Sequence, residues 1–165
     1  MKKETVQIIV FIIACLVFCF CGSGQAQTKW WKPTKNDWLS YGSMTLSGIA
    51  KGYNQAIVFH HYGRGNQFWD NSISWQNKYK NWPVDQSEAY LGSKTVLVAF
   101  SDGQHLTEAL NTTFLIGGTM LLSWNAKDEL KQLPKNQRIW AFIFRKVFIP
   151  TLIRGIAFEV TYQHL

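Results

Sequence analysis

Apolar residues fall into blocks separated by polar, turn-rich stretches. The first block, residues 8–20, is unbroken; it follows Lys2 and Lys3 and precedes Gly22, Ser23, Gly24 and Ala26. A positive start, a short apolar run and small residues before a cleavage point are the pattern of a secretory signal. The run is shorter than the ~18–20 residues of a typical membrane span. Residues 1–26 are therefore expected to be a signal peptide cleaved after Ala26, with a retained N-terminal anchor as the rival. Lipid attachment at Cys19 or Cys21 fits less well, because Phe18 and Phe20 are bulky where such a site wants small residues.

The rest, residues 27–165, is expected to form one domain. From 37 to 62 the pattern is helical, with Trp38, Tyr41, Thr45, Gly48, Gly52, Ala56 and His60 recurring at steps of three and four. Asn36 or Asp37 serves as a candidate N-cap and Gly63 as a stop. The small residues of that stripe suit a close-packed neighbouring helix, and Ser47, Lys51, Asn54 and His61 form a separate polar face. Residues 63–88 keep no period and carry three tryptophans, so they read as one long loop. Apolar pieces at 95–100 and 113–124 flank a polar break, and neither alone spans a bilayer; only if 93–122 were one kinked helix could it cross, with Asp102 and His105 inside. The last block, 138–162, places Arg138, Arg145 and Glu159 on one side of an ideal wheel, Lys146 beside them and Arg154 opposite. Trp140, Phe144, Phe148 and Tyr162 form much of the other face, as in a helix lying at a membrane interface, and Pro150 should kink it. Period-two alternation over 158–164 also allows a terminal strand, but the other blocks lack it. The expected fold is all-α, a small helical membrane-associated bundle with one long Trp-rich loop, held to the membrane by two or three apolar helices.

Composition sharpens the location. The chain has 17 Lys and Arg against 10 Asp and Glu, a net charge of +7, and 15% aromatic residues. All three cysteines lie within the first 26 residues, so the remainder has no disulfide and no Cys metal site. A basic exported protein meets anionic lipid headgroups rather than nucleic acid. Membrane lipids are the expected partner, another envelope protein the second, and nucleic acid none.

Residues 68–81, ending in Ser74-Trp75-Gln76-Asn77-Lys78-Tyr79-Lys80-Asn81, together with Ser93-Lys94-Thr95 and Ser101-Asp102-Gly103-Gln104-His105, resemble a family of small bacterial envelope proteins. Ser47-Gly48-Ile49-Ala50 and Phe59-His60-His61-Tyr62 fit the same family. The resemblance covers about residues 47–105 and implies an α-helical membrane protein in the cell envelope. It implies no activity.

Candidate chemistry is sparse. Asp102 and His105 stand at i and i+3, and His60 ends the small-residue stripe. The three could form a carboxylate–histidine metal site or an acid/base pair. The competing reading is a helix start at Ser101-x-x-Gln104, with Asp102 supporting it and His105 partly exposed. Trp69, Trp75, Tyr79 and Trp82 suit a membrane–water boundary, a glycan-stacking surface or the lid of a small core. Gly-x-Ser-x-Gly and His-Glu-x-x-His are absent, and no cofactor is implied. The function expected is an exported membrane-associated envelope protein of interaction or structural type. Its alternatives are a membrane-embedded metal-dependent hydrolase of a lipid or phosphate ester using His60, Asp102 and His105, and a glycan-binding module using the Trp loop.

Overall fold

The computed structural model describes residues 29–93 and 95–165. The signal peptide or anchor at 1–26, with Cys19 and Cys21, lies outside the described residues. Helix α1 (Lys35–Phe59) is the axis on which both other long helices pack, α2 (Gly103–Ser123) and α5 (Ile149–His164). Short helices α3 (Ala126–Lys131) and α4 (Lys135–Ala141) connect them, and a π-helical stretch, Phe142–Phe148, joins α4 to α5.

α1 starts two residues before the expected position. Thr34, not Asn36 or Asp37, is the N-cap: its hydroxyl accepts from the Asp37 N–H at 3.3 Å, and its own N–H donates to Asp37 Oδ2 at 2.8 Å. This reciprocal box satisfies two otherwise orphaned donors. The helix ends at Phe59, ahead of Gly63, where His61 turns into the left-handed region with φ 53°. At 1.5 Å per residue its 25 residues extend about 37 Å.

Two faces of α1 are buried, for different reasons. The small stripe packs against α5: a Cβ on Gly48 would lie 2.9 Å from Ala157 Cβ, and one on Gly52 2.6 Å from Thr161 Cβ. Only glycine permits that approach. Much of the polar face is buried, although Lys51 is partly exposed and His61 is exposed. Ser40 Oγ donates to Gly118 O at 2.8 Å, Ser43 Oγ to Phe114 O at 2.7 Å, and Asn54 Nδ2 to Gln104 O at 2.8 Å. Ser47 and Asn54 are buried against α2, and Lys51 pairs with Glu108 at 3.1 Å. Hydroxyl and amide groups thus stitch α1 to α2 along their length, a mode of helix pairing common where burial of apolar surface is not the driving force.

The long loop is more ordered than its sequence suggests. Residues 63–88 contain a 3₁₀ turn (Ser74–Lys78) and most of a two-stranded antiparallel hairpin, β1 (Tyr79–Asn81) with β2 (Asp85–Ala89). Tyr79 faces Ala89 and Asn81 faces Asp85, with an irregularity between. Residues 93–122 are not one kinked helix but a 3₁₀ turn (Val96–Phe100), a break, and α2. The break is polar because Asp102 caps α2. The terminal strand is also absent, since α5 stays helical to His164.

Among the described residues no helix is long and apolar enough to cross a membrane. This corrects the expected apolar helices, and the reason is local. Each helix interleaves its outward apolar residues with inward serines, asparagines and charges, so no continuous greasy window forms.

Candidate functional site

The expected basic edge of residues 138–162 points inward. Arg145 and Lys146 are buried, as is Asp37, while Glu129 of α3 is nearly so. Arg145 donates to Asp37 Oδ2 from Nε at 2.9 Å and from Nη2 at 2.5 Å. Lys146 Nζ lies 2.6 Å from Asp37 Oδ1, an ion-pair contact without hydrogen-bond alignment, and 2.9 Å from Glu129 Oε2. Thr34 Oγ1 completes the ring on Glu129 Oε1 at 3.2 Å. The two adjacent residues face inward together from the π stretch. An ideal wheel puts them side by side but cannot show that their side meets Asp37 and Glu129.

Burial pushes the Asp37 carboxyl up, but the Lys146 contact, the Thr34 N–H and Arg145 outweigh it, leaving its pKa below the usual carboxylate range. Burial, followed by the Asp37 charge, raises Tyr41, whose hydroxyl donates to Arg145 O at 2.7 Å. Two acids and two bases balance, so the cluster is a closed clasp joining α1, α3 and the π stretch. Arg154, expected alone on the opposite side, turns to the α1–α2 seam, donating to Ser47 Oγ at 3.0 Å and Asn111 Oδ1 at 3.3 Å.

Asp102 and His105 do meet. Nδ1 of His105 is 2.7 Å from Asp102 Oδ1, and the carboxylate also accepts from the His105 N–H at 2.8 Å. The cap is therefore Asp102 itself rather than Ser101. Asp102 is buried, whereas the His105 side chain is 44% exposed. Since an ionised carboxylate only accepts, Nδ1 is the donor in this contact. His60 is not part of this pair: its ring stacks on Tyr162 at 4.3 Å. No group of three or more metal-ligating side chains occurs among the described residues, so the three residues do not assemble a metal centre.

The four loop aromatics divide. Trp69 is wedged: a Cβ on Gly103 would come 2.7 Å from Trp69 Cζ3, and Gly63 also abuts this side chain. Trp75, Tyr79 and Trp82 cluster on the hairpin, with Trp75 and Trp82 centroids 4.5 Å apart at 74°. Edge-to-face rings do not make a flat stacking platform, and the Trp75 indole N–H is spent on Ser72 O at 3.0 Å.

Residues 68–81, Ser93 and residues 101–105 form one knot. The Gly103 N–H donates to Phe68 O at 2.8 Å, Asn77 Nδ2 to Ser101 O at 2.9 Å, and Ser93 Oγ to Lys78 O at 2.9 Å. Asp70 accepts from the Gly65 and Ser72 N–H groups at 2.7 and 3.0 Å and from Ser72 Oγ; chiefly through the Gly65 bond, its pKa falls to about 2. These residues hold the loop against the start of α2.

Beside a small core of Tyr41, Met44 and Leu122, packed by Trp38, Leu115, Ile149 and Ile153, many apolar side chains lie on the outside of the bundle. Leu39 and Leu46 on α1, Ile116 and Met120 on α2, and Leu152 and Ile156 on α5 are all exposed, as are Phe142, Ile143, Val147 and Phe148 in the π stretch. Trp124 and Trp140, near the α2 and α4 ends, are 67% and 61% exposed. No known protein family, curated protein or solved structure matches this chain.

Proposed function

We propose that this is an exported, membrane-associated envelope protein of interaction or structural type, whose bundle rests its outer surface against lipid. The observation that carries this reading is the inversion of the bundle. Asp37, Arg145, Lys146, Ser40, Ser47 and Asn54 are buried between helices beside a small apolar core of Tyr41, Met44 and Leu122, while many leucine, isoleucine, phenylalanine and tryptophan side chains are exposed. Exposed apolar side chains on all three long helices suit a membrane or protein contact, and the hydrogen bonds between helices add to the small apolar core in holding the bundle. The Lys and Trp residues of the lead-in, Lys29, Trp30, Trp31 and Lys32, suit the headgroup level.

The test is membrane extraction of the full chain in a bacterial host. The protein should stay in the pellet after alkaline carbonate and high salt and be released by detergent; recovery in the carbonate supernatant would refute the reading. A hydrolytic role has one observation in its favour, the Asp102–His105 pair with its exposed imidazole. His105→Ala should abolish any ester hydrolysis by the purified protein without loss of fold.

A further inference from the structure

Beside the ionic clasp lies a groove of about 320 Å³, lined by Trp31, Pro33, Trp38, Tyr41, Phe144 and Ile153. Its size is within the range of small-molecule pockets, about 300–1,000 Å³. The lining is apolar by construction. Tyr41 turns its hydroxyl away to Arg145 O, leaving the ring as wall, and Trp30 secures the lead-in through an edge contact with Phe144 at 5.8 Å. The rim is charged. Lys29 sits over the Trp31 ring at 5.5 Å, and Lys29, Lys32 and Lys35 are all exposed. Among the described residues none of the three has a carboxylate within ion-pair range. Asp37 and Glu129, the two acids that bond Thr34 beside the lead-in, are already neutralised by Arg145 and Lys146.

An apolar slot with an uncompensated cationic lip complements a molecule with an acyl chain and an anionic head. The geometry points to this groove as a specific site for one anionic phospholipid, its chain between Trp31, Trp38 and Ile153 and its phosphate at Lys29 and Lys32. This rests on the membrane reading and goes beyond it, since a greasy exterior alone selects neither a headgroup nor a stoichiometry.

The test uses the full chain, delipidated in detergent, mixed with phosphatidylglycerol or phosphatidylcholine and separated by size exclusion, with phosphorus counted per protein. About one phosphatidylglycerol per chain should be retained. The exposed pair Lys29→Gln/Lys32→Gln should weaken retention about 30-fold, from the loss of two cations at a lipid phosphate. Ile153→Trp, which fills the slot, should abolish retention. Equal retention of the two lipids, no retention by the wild type, or retention unchanged in the lysine pair would overturn the site. The lysine pair is solvent-exposed and keeps the fold, so it decides the matter even where Ile153→Trp misfolds. Vesicle flotation separates the two claims: a wild-type chain that floats without retaining phosphatidylglycerol loses only the site, whereas one that does not float loses the membrane reading too.

Discussion

Replacing Asp37 by Asn removes one buried charge and almost nothing else. The amide oxygen can still accept the Thr34 N–H, so the helix cap survives, while Arg145 and Lys146 are left facing the single carboxylate of Glu129. Asp37 is 0% exposed and Arg145 3%, so solvent cannot screen the excess. Breaking a buried pair from one side costs about 3–5 kcal/mol. For a chain of this size that lowers the melting temperature by roughly 6–20 °C, at about 2–4 °C per kcal/mol. Arg145→Met should cost a similar amount, but the double variant restores charge balance between Lys146 and Glu129. Its cost should therefore be less than the sum of the singles by about 1–3 kcal/mol. Thermal unfolding of the detergent-solubilised protein, followed by far-UV circular dichroism, measures all three. A single Asp37→Asn cost below about 1 kcal/mol, the value of an exposed pair, together with additive variants, would refute the clasp.

Acid should loosen the fold in a defined window. Asp37 and Asp70 both have folded-state pKa values below those of the unfolded chain, so each stabilises fully above the ordinary aspartate value of about 3.9. That stability is lost as pH falls through the folded values, with Asp70 fading toward about pH 2; a melting temperature that stays level from neutral pH down to this range would contradict it. Gly48→Ala should cost about 1–3 kcal/mol by forcing α1 from Ala157 and the Arg154 carbonyl, and a neutral effect in chemical denaturation would show that the helices are not so close. Asp102→Ala should lose about 1 kcal/mol from an uncapped α2, whereas His105→Ala should leave stability nearly unchanged, because the cap uses the His105 backbone N–H.

What is legible from the residues is what depends on near neighbours. The Gly48–Gly52–Ala56 stripe announces a close helix contact because small residues at helical spacing mean little else when they accumulate. Asp102 and His105, three apart, have to meet if α2 begins there. The polar face of Ser47 and Asn54 misleads, since a wheel treats polar as solvent-facing and cannot know that Asn111 and Thr107 wait on another helix. An ideal wheel sets Arg145 and Lys146 side by side, but it cannot tell that their side meets Asp37 and Glu129 rather than headgroups. Their partner Asp37 is 108 residues from Arg145, beyond any local pattern. The Thr34-x-x-Asp37 box is present in the sequence but hidden behind the nearer candidates. The hairpin of β1 and β2 lacks apolar alternation, being mostly exposed, so period gives no sign of it.

The most direct measurement of the inverted bundle is spin-label accessibility in reconstituted vesicles. Labels attached at Ile116→Cys and Leu152→Cys should relax more with oxygen than with a water-soluble nickel chelate, as lipid-facing sites do. Free access of the chelate to both positions, equal to that of a label on the Lys127 surface, would mean that water covers those side chains and would contradict the membrane reading.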